Sequence, residues 1–330
     1  MINILILSAG TRNKVVQLFK ESIGEEGRII ATDCSNLAPA IYDADGYYLV
    51  PRINAPDYID RILDICVKEK ITGVFSLIDP ELSLLAKEYD RFREIGVTPI
   101  VTPYDLTETC FDKYRFYELM REYGIPTGDC YLDKETFFAD KAAGKISYPV
   151  FAKPVRGSAS ININKVSSDK EIEVLFDLYD DIMIQEYMPY QEYGADVYID
   201  LLSGKCVSIF VKKKIRMRAG ETDKSVSVII PELFDMITAF VEKAGFRGMI
   251  DMDIFYDDAS GTFYFSEVNP RFGGGYPHAY SCGVNFAELV IKNLKGEENE
   301  PVIGKYRTGV CMMKYNEICI RSIPEEDIVI

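Results

Sequence analysis

The sequence predicts an α/β domain with an open parallel sheet over residues 1–105, followed by two α+β subdomains over 106–180 and 181–330. Three observations predict this. Up to about residue 100, short apolar strands alternate with amphipathic helical stretches, as in a parallel sheet covered on both faces. Beyond it, residues 181–216 and 248–268 read as successive strands joined by short turns, the pattern of antiparallel pairing. A chain of 330 residues also exceeds the usual single core and calls for two or three domains.

In chain order, residues 2–8 read as a buried strand, Gly10 and Thr11 as a turn, and Asn13–Ile23 as a helix. Residues 28–32 form a second strand ending at Asp33, and 47–50 a short third. Ile59–Lys70 has helical periodicity, and 73–79 is strand-like. Pro80 and Glu81 then open a helix to about Glu94. The second unit starts at Asp112-Lys113 with a helix over 113–123, stopped by Gly124 and Pro126. Residues 148–163 read as strand, glycine-containing turn and strand, and 169–180 as a helix. Residues 181–216 read as a strand, a connector over Pro189–Tyr193, and antiparallel strands. A helix over 231–245, strands over 248–256 and 262–268, a helix over 283–295 and a tail over 306–323 that is mostly strand follow.

Composition narrows the function. Hydrophobic content of 48% and charged content of 27% are those of a soluble globular protein, and a net charge of -15 disfavours nucleic-acid binding. No run of 18 apolar residues exists, so no membrane partner is expected. MINILILSAG lacks a basic leader and a cleavage pattern, so a buried strand is expected there. The eight cysteines are spread singly without a CxxC pair, which fits reduced thiols in the cytoplasm. The one histidine, His278, excludes a multi-histidine metal site.

The densest chemistry lies in FYFSEVNPRFGGGYPHAY, residues 263–280. Glu267 and Asn269 are two apart at a strand end and so face one side. Upstream, Asp251 and Asp253 repeat the spacing. Carboxylates on adjacent strands repel, and a divalent cation such as Mg²⁺ would relieve them while holding phosphates. Lys153 follows the apolar run YPVFA, where a buried ammonium wants an anion. RGSAS, residues 156–160, would let backbone N–H groups approach phosphate; the alternative is a polar hairpin. No GxxxxGK[ST] is present. Lys212, Lys214, Arg216 and Arg218 alternate and would share one face aimed at an anion, unless they form a solvated edge. Glu186 and Met188 end a strand, and Glu192 lies in the connector. Asp33 and Asp79-Pro80-Glu81 sit at carboxyl ends of strands, where open α/β sheets bind ligands. SAGTRN has one glycine where a dinucleotide fingerprint has three.

In this order, these residues resemble the ATP-grasp superfamily. The similarity is to a single module of the carbamoyl phosphate synthase large chain and to related carboxylate–amine ligases. The resemblance implies a domain preceding the ATP-grasp fold over 1–105, a lid-bearing subdomain over 106–180 and a catalytic subdomain over 181–330. It implies ATP as cofactor with Mg²⁺, or Mn²⁺, and a carboxylate activated as an acyl phosphate and captured by an amine. By position it assigns Lys113, Lys153, Gly157, Ser158 and Ser160 to phosphate. It assigns Glu186 and Met188 to adenine, Glu192 to ribose, and Asp253, Glu267 and Asn269 to metal. Arg271, Lys153 and Arg218 are the implied catalytic groups. Asp253 stands where the synthase has glutamine, and the glycine loop is shortened. The second module and the amidotransferase are missing, so carbamoyl phosphate synthesis itself is not expected. The implied partners are small-molecule carboxylate and amine substrates, with a homodimer compatible. The competing reading is a non-catalytic ATP-binding or regulatory protein of the same fold.

Overall fold

The computed structural model describes residues 1–157, 164–218 and 220–330. The first domain contains β1 (Ile2–Leu7), α1 (Asn13–Ile23), β2 (Gly27–Asp33), β3 (Gly46–Leu49), α2 (Tyr58–Lys68), β4 (Gly73–Ser76), α3 (Asp79–Lys87), α4 (Tyr89–Glu94) and β5 (Thr98–Pro99). Its parallel sheet has the order β3-β2-β1-β4-β5. The apolar run of β1 is buried on both faces. Ile4 and Ile6 meet Val16 and Phe19 of α1, while Leu5 and Leu7 join the cluster around Ile62 and Ile65 of α2. The chain builds outward from β1 to β3, then crosses to β4 on the other side of β1. That reversal leaves a crevice at the carboxyl ends of β1 and β4. The strand expected over 73–79 stops at Ser76, because Pro80 favours the first turn of a helix, which begins at Asp79.

The second subdomain contains α5 (Tyr104–Phe111), α6 (Lys113–Glu122), β6 (Cys130–Tyr131), α7 (Lys134–Ala142), β7 (Val150–Pro154), β8 (Asn164–Val166), α8 (Asp169–Leu178) and β9 (Ile182–Glu186). The Asp112 carboxylate caps α6 by accepting from the Tyr114 and Arg115 N–H groups at 3.2 and 3.0 Å. The sheet order is β6-β9-β7-β8. β9 pairs along its whole length with β7, so the division expected at residue 180 falls before a strand that belongs to this smaller sheet.

The third subdomain contains β10 (Gln191–Ile199), β11 (Cys206–Arg218), β12 (Glu221–Val228), α9 (Pro231–Ala244), β13 (Gly248–Asp257), β14 (Thr262–Asn269), α10 (Tyr276–Ser281), α11 (Phe286–Leu294) and β15 (Cys311–Met313). The antiparallel sheet runs β14-β13-β10-β11-β12-β15. The tail expected to be mostly strand contributes one short strand, β15, with the flanking Gly309, Val310 and Lys314 also hydrogen-bonded through their backbones to β12. One face of the sheet packs on α9 through Ile237, Phe240 and Val241. The other face packs Tyr198, Phe210 and Met249 into the same core as Phe19 and Phe75 of the first domain. Phe19, Phe75 and Phe272 form a triangle with ring centroids 4.8–5.3 Å apart, which seats the first domain on the turn after β14. Among the described residues no helix is long and apolar enough to cross a membrane.

A buried carboxylate ties the β10–β11 turn to α11. Asp200 accepts from the Ser203 N–H at 2.8 Å, Asn293 Nδ2 at 2.6 Å, and the Asn299 N–H and Nδ2 at 2.9 Å. Burial opposes its charge, but these donors outweigh it and hold its pKa at about 2, below the usual 3.8. A depressed carboxylate pKa adds stability above the unfolded value that is lost as pH falls toward the folded one. Asp200→Ala should therefore cost about 2–4 kcal/mol at pH 7, because it strands buried amide donors. In urea unfolding the gap to wild type should be about 1 kcal/mol narrower at pH 3.

Candidate functional site

A cavity of about 630 Å³ lies between the three sheets. At one end Phe151 and Lys153 of β7 face Gln185 and Glu186 of β9, with Met188 just beyond. Glu186 is spent on β6: its N–H donates to the Asp129 carbonyl at 2.8 Å, and its carboxylate accepts the Asp129 N–H at 3.2 Å. The Met188 N–H makes no hydrogen bond among the described residues, so this strand end offers backbone rather than side chains.

Lys153 is 7% exposed, and no hydrogen bond or ion pair to its ammonium exists among the described residues. Burial lowers its pKa, opposed by the charge of Glu267 across the cavity. Lys113, at the start of α6, donates to the Gly157 carbonyl at 2.5 Å. Arg156 is not free for a ligand: it pairs with Glu108 at 3.0 Å and contacts Asp112 at 3.5 Å. Ser158 and Ser160 lie outside the described residues.

The cavity floor is the face shared by β10, β11, β13 and β14. Register sets Asp253 opposite Glu267 and Asp251 opposite Asn269, with Met252 and Val268 turned into the core. β10 begins at Gln191, so Glu192 stands on a strand rather than in the expected connector. Lys214, buried on β11, donates to Glu192 at 2.7 Å and Asp253 at 2.5 Å. Lys212 donates to Asp196 at 2.6 Å and stands 3.7 Å from Asp251. Burial pulls both lysine pKa values down, but these carboxylates outweigh it and hold both raised. Burial likewise raises Glu192 and Asp253, and the Lys214 charge only partly offsets it. The glycine at 194 makes room, since a Cβ there would meet Lys212 Cε at 2.8 Å and Lys214 Cε at 3.2 Å.

The single basic face expected on β11 does not form. The β11–β12 ladder shifts register after Lys214, and Met217, not Arg216 or Arg218, enters the cavity. Arg218 is half-exposed and points to Asp223, with Nε 3.3 Å from its carboxylate. Its expected catalytic placement is therefore not met. Lys212 and Lys214 face the protein's own acids instead of an open anion site.

Arg271 Nε lies 2.7 Å from Asp79 Oδ1, and Nη2 donates to Oδ2 at 3.2 Å. This joins the turn after β14 to the first helix after β4. His278 is buried on α10: Nε2 donates to the Val310 carbonyl and Nδ1 accepts from Ser225, both at 2.9 Å. Burial pushes its pKa down to about 4, so this neutral tautomer is structural. Asp33 accepts the Gly10 and Ser35 N–H groups, and Glu81 is sealed against Tyr58 and Ser76. These three groups stay outside the cavity lining.

Sequence reasoning missed Arg12 and Glu221 as cavity residues, and it offered Asp251 beside Asp253 as a candidate metal oxygen but left it out of the implied ligand set. The signal for Arg12 was its place just past the carboxyl end of β1. Glu221 carried none.

Glu267 and Asn269 turn side-chain oxygens into the cavity with no hydrogen bond from a described residue. Among the described residues no three His, Cys, Asp or Glu side chains converge as a metal cluster. One free carboxylate and one amide oxygen still suit Mg²⁺, which typically takes one or two carboxylates and completes its shell with water and phosphate. Asp253 fits less simply, because Lys214 already balances it.

Comparison with known proteins agrees with this architecture. Residues 4–100 match the family model "PylC-like, N-terminal domain", and residues 179–317 match "ATP-grasp in the biosynthetic pathway with Ter operon". The chain is 25% identical over 275 residues to the arginine-specific carbamoyl phosphate synthase large chain of Geobacillus stearothermophilus, covering 79% of this chain and 26% of that one. It is 22% identical to the D-aspartate ligase of Enterococcus faecium, covering 83% and 72%. The biotin carboxylase domain of Hydrogenobacter thermophilus 2-oxoglutarate carboxylase superposes with a TM-score of 0.74 at 18% identity, over 94% and 73% of the two chains. The chain thus spans about a quarter of the length of the synthases it matches.

Lys153 gives a test independent of any ligand. A buried ammonium without a paired anion costs folding energy, so Lys153→Met should raise urea-unfolding stability at pH 7 by roughly 1 kcal/mol.

Proposed function

From the ATP-grasp fold that this chain carries, we propose an ATP- and Mg²⁺-dependent ligase that joins a carboxylate to an amine through an acyl phosphate. One observation supports this above the others. A single cavity sets Lys153, a buried cation with no hydrogen bond or ion pair among the described residues, across from Glu267 and Asn269, whose oxygens accept no hydrogen bond from a described residue. Nucleotide phosphates and a divalent ion would complete both.

In this reading the base lies between Phe151, Gln185 and Met188 and is read by the backbone after Glu186. Glu192 receives the ribose hydroxyls, and Lys113, Lys153 and Gly157 hold the phosphates. Ser158 and Ser160 would extend that cradle. Glu267, Asn269 and the free oxygen of Asp253 would hold Mg²⁺, or Mn²⁺ through the same oxygens, to neutralise charge developing on the transferred phosphoryl group. Arg271, which pairs with Asp79, would meet the acyl phosphate. The protein contributes position and compensating charge, and no covalent nucleophile is needed. Arg218, turned toward Asp223, is left out of this set. Eight free cysteines, five of them raised in pKa chiefly by burial, suit a reducing cytoplasm.

Glu267→Gln keeps the size and removes one charge. Turnover should fall more than a hundredfold, about 3 kcal/mol of transition-state stabilisation, while ATP affinity changes far less. ADP release over paired carboxylates and amines, with hydroxylamine trapping of acyl phosphate, reads this out. Native-rate trapping by the variant would reject the metal role. Tight ATP binding by the wild type without ADP release on any pair would favour the non-catalytic reading.

A further inference from the structure

In the reading above, the nucleotide takes the Phe151 and Met188 end of the cavity and leaves the opposite end unassigned. That opposite end lies where the strand order of the first sheet reverses, past the carboxyl ends of β1 and β4. Arg12, Leu77 and Ile78 reach it from the first domain, and Asp251, Glu221 and Gly274 from the third subdomain.

Three charge groupings surround this end. Arg271 and Asp79 cancel. Arg12 and Lys314 both contact Glu221, so that grouping carries one positive charge in excess. Lys212 is committed to Asp196 and stands 3.7 Å from Asp251, so that grouping carries one negative charge in excess. The two excesses flank consecutive glycines. A Cβ on Gly273 would overlap the Asp251 carboxylate, and one on Gly274 would overlap the Arg12 guanidinium. The absence of side chains there lets both groups reach the turn. Arg12 and Asp251 thus reach consecutive residues of one turn, where the two ends of a single small zwitterion can meet them. The Arg12 and Glu221 side chains are 24% and 39% exposed, so a ligand carboxylate can replace Glu221 at little cost. Asp251 lies across the ladder from Asn269, which puts a bound ammonium beside the proposed metal-facing strand end.

We propose that this end of the cavity binds an α-amino acid, its carboxylate on Arg12 and its ammonium on Asp251. That this amino acid is the amine component rests on the ligase reading above; the binding does not. The test is calorimetric titration of the whole protein, with and without Mg²⁺-ADP, using the twenty standard L-α-amino acids. Each binder is compared with its amide and its N-acetyl derivative. At least one amino acid should bind, and Arg12→Met should weaken it at least tenfold while Mg²⁺-ADP affinity stays within twofold. Arg12→Met should not change the weaker binding of the amide, and Asp251→Asn should not change that of the N-acetyl derivative. Glu221→Gln, which frees Arg12, should tighten the amino acid severalfold. No amino acid bound at millimolar concentration, with Mg²⁺-ADP binding normally, overturns the site and leaves the ligase reading standing. Unchanged amino-acid affinity in Arg12→Met, with native circular dichroism, also overturns it. Amino-acid binding without any nucleotide binding keeps the site and rejects the ligase reading.

Discussion

Lys212 and Lys214 bring two ammonium groups to a buried sheet face that also carries Glu192, Asp196, Asp251 and Asp253. Four carboxylates on one desolvated face would repel each other and protonate. The two lysines let them stay together, and removing either partner of such a pair would leave an uncompensated buried charge. Everything on the cavity floor depends on this balance. It holds β10, β11 and β13 in one register, and it leaves Glu267 and Asn269 on the next strand as oxygens with no hydrogen bond from a described residue.

The balance also decides which charges are available to a ligand. Lys153 approaches from the smaller sheet, and no described carboxylate of that sheet pairs with its ammonium. A cation supplied by one sheet therefore faces oxygens supplied by another, and the space between them is the cavity. The first domain closes the remaining side through the Phe19–Phe75–Phe272 cluster and the Arg271–Asp79 pair. Both links act on the turn after β14. The crevice of the parallel sheet is thereby held against the same strand end that carries Glu267 and Asn269.

Much of this was legible in the sequence, for identifiable reasons. Period-two spacing put Glu267 and Asn269 on one face, and an apolar run before Lys153 implied its burial. Both are local properties, and local geometry decides them. The alternation of Lys212, Lys214, Arg216 and Arg218 was equally plain and equally local, yet its reading failed. A register shift after Lys214 sends Arg216 and Arg218 toward Asp223. A bulge depends on the pairing partner, which the strand's own residues do not reveal. His278 stood beside the functional segment in sequence but is enclosed by Ser225 and Val310, brought there by β12 and the tail.

The sequence by itself determined the element types, the parallel-then-antiparallel order and the strand faces that carry chemistry. Each follows from side-chain periodicity and turn residues acting over a few positions. Tertiary structure alone decided which charges cancel. Lys214 meets Glu192 and Asp253, 22 and 39 residues away along the chain, and Arg271 meets Asp79 across 192. An ion pair depends on distance and desolvation in space, and separation along the chain constrains neither.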